Sequence, residues 1–94
     1  MFIKTRNTLK KIIGNTPLIK ISPHIYAKLE TYSPSGSVKD RMINYVVERA
    51  RVFNRIKEDT ILCEATSGNT GIALSMIAAN LGLKCVIFMP SNMS

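Results

Sequence analysis

Residues 33–41 read Ser33-Pro34-Ser35-Gly36-Ser37-Val38-Lys39-Asp40-Arg41, a turn-forming run that gives way at Lys39 to the start of an amphipathic helix. Ahead of it, Ile25-Tyr26-Ala27-Lys28-Leu29-Glu30 reads as a strand. The Ser/Pro/Ser/Gly cluster stops that strand, and Gly36 can take backbone angles that other residues avoid. Ser37 then reads as the helix N-cap, with Asp40 three residues later as the short form of a capping box. Lys39 falls in the first helical turn, close to the positive end of the helix dipole. A charged amine is disfavoured there and a neutral, nucleophilic one is easier to reach. Lysines ordinarily suit the opposite end of a helix, and a broken local rule marks a candidate for chemistry. Taken alone, the same residue also reads as a solvated surface lysine offset by Asp40.

Working outward, Met42, Ile43, Val46, Val47, Ala50 and Phe53 recur at three- and four-residue spacing, which predicts one helix face directed to the core. Residues 54–59 are a polar linker. Thr60 to Ala65 is a mostly apolar strand of the kind buried on both faces of a parallel sheet. The turn Thr66-Ser67-Gly68-Asn69-Thr70-Gly71 opens a second helix through Ile72, Leu74, Ile77, Ala78 and Leu81, which Gly82 closes. Lys84 to Met89 is another buried strand, ended by Pro90. On the amino-terminal side a basic lead-in holds a short helix around Thr8 to Ile13, followed by a turn at Gly14-Asn15-Thr16-Pro17. Leu18 to Ile21 then lies close enough to residues 25–30 for an antiparallel pair. Helix alternating with strand predicts α/β architecture with parallel pairing of the last two strands. No helix follows that sheet within the 94 residues, so one of its faces is expected to lack a cover.

Composition narrows the function classes. The net charge of +7 would suit an anionic partner, but the basic residues are dispersed and aromatic residues make up 6% of the chain, too few for a base-stacking platform. A solvated basic face is the better reading, with no nucleic acid as partner. No apolar run approaches the roughly 18 residues of a membrane span, and the basic start lacks the apolar core of a secretory signal. The expectation is a cytoplasmic protein without a membrane partner. Cys63 and Cys85 sit in apolar runs without other ligands at metal spacing, so they are expected to be buried small hydrophobes, and no metal is predicted. His24 reads as a surface loop residue.

Residues 66–71 concentrate hydroxyl, amide and glycine groups where a strand meets a helix, so donors converge on a helix N-terminus and suit a carboxylate or a phosphate. The plainer alternative is a glycine-rich turn with a Ser or Thr cap. The run is neither the phosphate loop of an NTPase nor the three-glycine dinucleotide fingerprint.

Taken in order, Asn15-Thr16-Pro17-Leu18, Lys28-Leu29-Glu30, Ser33 to Arg41 and Glu64-Ala65-Thr66-Ser67-Gly68-Asn69-Thr70-Gly71-Ile72-Ala73 resemble the fold-type II pyridoxal-phosphate enzymes. The nearest branch is the cysteine synthase (O-acetylserine sulfhydrylase) and cystathionine β-synthase group, and the likeness runs from about Ile13 to Ser94. Ser-Val-Lys at residues 37–39 and Ser-Gly-Asn-Thr at residues 67–70 favour this branch over the serine and threonine dehydratases, which typically have Ser-Phe-Lys and Ser-Gly-Asn-His there. Ala65 departs from the proline common in the family, which should loosen the strand end without removing a ligand.

The resemblance implies a truncated tryptophan synthase β-like fold. Residues 1–36 would be a lead-in and strand pair belonging to the larger domain of such enzymes, and residues 37–94 the start of the smaller one. Lys39 corresponds to the lysine that bonds covalently to pyridoxal 5'-phosphate and later moves the substrate's α-proton. Asn69 corresponds to the asparagine that hydrogen-bonds the cofactor's 3′ oxygen. Thr66, Ser67, Gly68, Asn69 and Thr70 correspond to the loop that grips the substrate carboxylate. The implied reaction is β-replacement, O-acetylserine plus sulfide giving cysteine, with the cofactor as electron sink. In the family the loop holding the cofactor phosphate lies in later sequence, so the resemblance also implies weak cofactor binding by these 94 residues alone and a need for the remaining part, from further sequence or from a complementing chain. Family members are usually homodimers. The alternatives are a cystathionine β-synthase-like enzyme and a non-catalytic remnant or small anion- or cofactor-binding module.

Overall fold

A computed structural model describes residues 5–92, so Met1 to Lys4 of the basic lead-in and the family-like Met93-Ser94 lie outside the described residues. The elements are α1 (Thr5–Ile12), β1 (Leu18–Ser22), β2 (Ile25–Lys28), a 3-10 turn (Glu30–Tyr32), α2 (Lys39–Val52), β3 (Ile61–Ala65), α3 (Asn69–Leu81) and β4 (Lys84–Phe88). β1 and β2 form an antiparallel ribbon in which Ile19 faces Ala27, with an irregularity between Lys20 and Ser22. β3 and β4 form a separate parallel pair in which Cys63 faces Val86.

α3 is the element around which the rest is built. It packs against β3 and β4, against α2 and against α1. Its sequence is apolar around much of its circumference, as burial on more than one side requires, and Gly71, Ala73, Leu74, Ile77 and Ala78 are buried. Together with Ile43 and Val47 of α2, its Ala73, Leu74 and Ile77 make the core cluster. Gly71 permits the close approach of helix to strands, since a Cβ there would lie 2.7 Å from the Thr66 methyl and 3.1 Å from Ile87 Cγ2. Gly82 ends α3 in the left-handed conformation at φ 73°, and Leu83 N–H returns to the Ala78 carbonyl.

The direction of the helices follows from this packing. β3 feeds α3 at its carboxyl end, and α3 runs back to start β4, so the N-terminus of α3 sits at the carboxyl edge of the parallel pair. Ile43, one turn into α2, shares the core cluster with Ala73, one turn into α3. Near their other ends, Arg51 and Val52 of α2 line a common groove with Asn80 and Leu81 of α3. The two helices therefore run side by side in the same direction, and both begin at the same edge of the sheet.

Several expectations are corrected. On α2, Ile43 and Val47 are buried and Ala50 half-buried, but Met42, Val46 and Phe53 are exposed, because the described residues cover α2 on only one side. Arg49 stacks over the Phe53 ring at 4.8 Å instead. The parallel strands are not buried on both faces. Leu62, Glu64, Cys85 and Ile87 are half-buried on the α3 side, and alternate residues such as Ile61, Val86 and Phe88 are exposed. Cys63 is accordingly exposed and Cys85 half-buried, not buried small hydrophobes. The second strand ends at Lys28 rather than Glu30: Leu29 N–H still reaches the Pro17 carbonyl at 2.8 Å, and the chain then coils into the 3-10 turn. The first helix spans Thr5–Ile12, starting before the expected Thr8.

Candidate functional site

The junction ahead of α2 is built by two polar anchors. The turn itself closes through Gly36 N–H donating to the Ser33 carbonyl at 2.8 Å, with Gly36 at φ 91° where a side chain would be strained. The N-cap is Val38, not Ser37, and it makes no side-chain cap bond. Ser37 Oγ accepts from the Lys39 N–H at 3.2 Å, while Asp40 does not turn back to Ser37 as a capping box would. Instead Asp40, fully buried, accepts from the Ser35 N–H at 2.9 Å and from the Ser35 hydroxyl. The short polar side chain satisfies the turn rather than the helix end.

The second anchor joins α2 to the strand ribbon. Arg41 donates from Nε to Glu30 Oε2 and from Nη2 to Glu30 Oε1, each at 3.2 Å, and from Nη2 to Thr16 Oγ1 at 3.1 Å. Thr16, itself buried, donates to Glu30 Oε1 at 2.6 Å and accepts from Lys28 Nζ through Oγ1 at 2.8 Å. Lys28 also donates to the Thr16 carbonyl, and the buried Ser33 hydroxyl completes the cluster at 3.4 Å from Glu30 Oε2. The Arg41 guanidinium first, then the Thr16 hydroxyl, hold the Glu30 carboxyl below its ordinary range, against a smaller opposing effect of desolvation. A bidentate Arg–carboxylate pair fixes orientation as well as position.

Lys39 stands immediately before both anchoring side chains. Its side chain is half-buried, and no hydrogen bond or ion pair engages its ammonium among the described residues. Asp40 and Arg41 are committed to the turn and the ribbon, so the lysine is the member of the Lys-Asp-Arg run left with a free end.

The junction ahead of α3 is different. Thr66 N–H donates to the Phe88 carbonyl at 3.0 Å, which ties it to β4, and Thr66 Oγ1 accepts from the Gly68 N–H at 3.3 Å. Gly68 is the N-cap without a side-chain cap bond, and its carbonyl takes the first helical N–H, that of Ile72, at 3.0 Å. Among the described residues, the N–H groups and polar side chains of Ser67, Asn69 and Thr70 have no partner. Such unused donors at a helix start suit an anion. Because α2 and α3 begin at the same edge, Lys39 and residues 66–70 share one end of the molecule. The sequence signals for these residues came from turn chemistry and motif, whereas the Thr16, Lys28, Glu30 and Arg41 cluster had no assigned role. Its only signal was the presence of those residues in the family-like segments.

Residues 9–94 match the model of the family described as pyridoxal-phosphate dependent enzyme, and the chain belongs to that family. Over 95 residues it is 48% identical to cysteine synthase B of Salmonella typhimurium, an alignment covering 94% of this chain and 31% of that enzyme. Among solved structures, a hydrogen sulfide-producing enzyme from Fusobacterium nucleatum is 44% identical with a TM-score of 0.84, covering 92% of this chain and 30% of that one. An O-acetylserine dependent cystathionine β-synthase from Helicobacter pylori is 37% identical with a TM-score of 0.82, covering all of this chain and 33% of that one. The fold is thus the fold-type II arrangement, and the chain spans about a third of the length of the relatives it matches.

Proposed function

We propose that this chain supplies the lysine-bearing part of a cysteine synthase-type β-replacement enzyme, with Lys39 as the residue that bonds to pyridoxal 5'-phosphate. The observation that carries the reading is the half-buried Lys39, unpaired among the described residues, at the same sheet edge as the donors of Ser67, Asn69 and Thr70, likewise unused among them. These residues fit the cofactor: an amine without a partner suits its aldehyde, and the Asn69 amide can donate to its 3′ oxygen. When bound, the cofactor supplies an electron sink for the carbanion at the substrate α-carbon. Lys39, in the first turn of α2, holds and returns the α-proton at its Nζ. The Ser67, Asn69 and Thr70 donors, with Thr66 and Gly68 shaping the turn, bind and orient the substrate carboxylate. The substrate class is an amino acid carrying a leaving group on its β-carbon, O-acetylserine with sulfide as nucleophile being the case closest to the named relatives.

Residues 1–36 then belong to the larger domain of the complete catalytic unit and residues 37–94 to the smaller one. The rest of that unit comes from further sequence or from a complementing chain. The test is an absorbance titration of the protein with pyridoxal phosphate beside Lys39→Ala. The expected result is a visible band that the variant lacks, followed by cysteine formation from O-acetylserine and sulfide when the rest of the catalytic unit is supplied. A band of equal strength in the variant would remove Lys39 from the role.

A further inference from the structure

We propose that Asp40 is a positioning residue for Lys39, acting through Ser35 and the turn that precedes α2. The inference rests on the reading of Lys39 given above and adds a residue to which no role has been assigned. Among the described residues Asp40 is the only charged side chain that is buried, and it is fully so. Burial of a carboxyl group is costly unless its oxygens are satisfied, and here both are satisfied by one residue, through the Ser35 N–H and the Ser35 hydroxyl.

The geometry explains what those bonds accomplish. Ser35 lies inside the turn closed by Gly36 and Ser33. Bonding it to Asp40 links the turn to the residue that directly follows Lys39, so the backbone on both sides of the lysine is held by one buried contact. Val38, the N-cap, contributes no side-chain bond that could do this instead. The Arg41 to Glu30 pair holds the next residue, but it is partly exposed, with 41% of the Arg41 side chain open to solvent, and so is the weaker constraint. Lys39 itself has a long, flexible side chain and no partner of its own among the described residues. Its direction is therefore set by where the first turn of α2 leaves the loop, which is what Asp40 fixes.

The test locates the reactive lysine instead of measuring turnover. The protein and its variants are incubated with pyridoxal phosphate, trapped with borohydride, and mapped by peptide mass, with Lys57 in the exposed linker as internal reference. Lys28, exposed but with its ammonium bonded to Thr16, reports the ribbon through its own ratio to Lys57, which rises when those bonds are lost. Wild type is expected to carry its label mainly on Lys39. Asp40→Ala should lower the Lys39 to Lys57 ratio by about 10- to 100-fold while the Lys28 to Lys57 ratio keeps its wild-type value, the loss expected when a reacting group is misplaced by an ångström or less. Asp40→Asn should restore most of the ratio, since its amide can accept the Ser35 N–H and donate to the Ser35 hydroxyl. An unchanged ratio in Asp40→Ala, or an Asp40→Asn variant as poor as Asp40→Ala, overturns the proposal. If Asp40→Ala opens the ribbon and raises the Lys28 to Lys57 ratio, Ser35→Ala decides: a lowered Lys39 to Lys57 ratio supports the proposal and an unchanged one overturns it. A wild type without label on Lys39 defeats the proposed function and this inference with it, whereas a labelled Lys39 indifferent to Asp40 and Ser35 defeats the inference alone.

Discussion

The two strand-to-helix junctions of this molecule sit at the same edge of the sheet and are built in opposite ways. The one at residues 33–38 is closed by its own hydrogen bonds, by buried Asp40 and by the Arg41 to Glu30 pair. Among the described residues, the one at residues 66–68 has a single weak side-chain tie, Thr66 to Gly68, and leaves the donors of Ser67, Asn69 and Thr70 unused. The difference teaches how a fold divides labour within a site. A residue that must point one way is fixed by buried contacts, and a loop that must receive a ligand keeps its donors free, its internal order supplied by whatever binds.

The core that sets the junctions side by side gives the largest expected effect. Ile43→Ala removes a buried side chain shared by the starts of α2 and α3, and should cost about 2–5 kcal/mol in chemical denaturation. It would break the comparison by loosening both junctions together. Gly71→Ala sharpens the comparison because it touches only the second junction. Its Cβ would meet the Thr66 methyl and Ile87, both on stiff branched side chains, so the strain of about 1–3 kcal/mol should outweigh the roughly 1 kcal/mol gained in helix propensity. The net loss would appear as a lowered melting temperature.

The smallest effect belongs to the ion pair at the first junction. Because Arg41 and Thr16 lower the folded-state pKa of Glu30, its contribution to stability is complete above the unfolded value near 4.5 and is lost as pH falls through the lowered folded value. Glu30→Gln should therefore melt below wild type at about pH 7, with the gap closing below pH 4.5 or so. A gap that widens on acidification would assign the pair the wrong sign.

Much of this was legible in the sequence. The parallel β3 to β4 pair, the antiparallel ribbon, α3 and its closure at Gly82 follow from periodicity and turn residues. What was not legible has physical reasons. The spacing of Asp40 from Ser37 fits a helix cap, but the side chain bonds to Ser35 instead, and no local pattern ranks the two. The Thr16, Lys28, Glu30 and Arg41 cluster joins residues up to 25 apart, where periodicity carries no signal. Cys63 and Met42 look like core residues by composition, yet burial depends on what lies opposite, and the described residues place nothing there.

Amide hydrogen exchange at the two junctions tests the central contrast most directly. The Ser35 and Gly36 amides, bonded to Asp40 and to the Ser33 carbonyl, should exchange on the order of 100-fold more slowly than in an unstructured peptide, while those of Ser67, Asn69 and Thr70 exchange at nearly the unstructured rate. Comparable protection at both junctions, or faster exchange at Ser35 and Gly36 than at residues 67–70, would contradict the account.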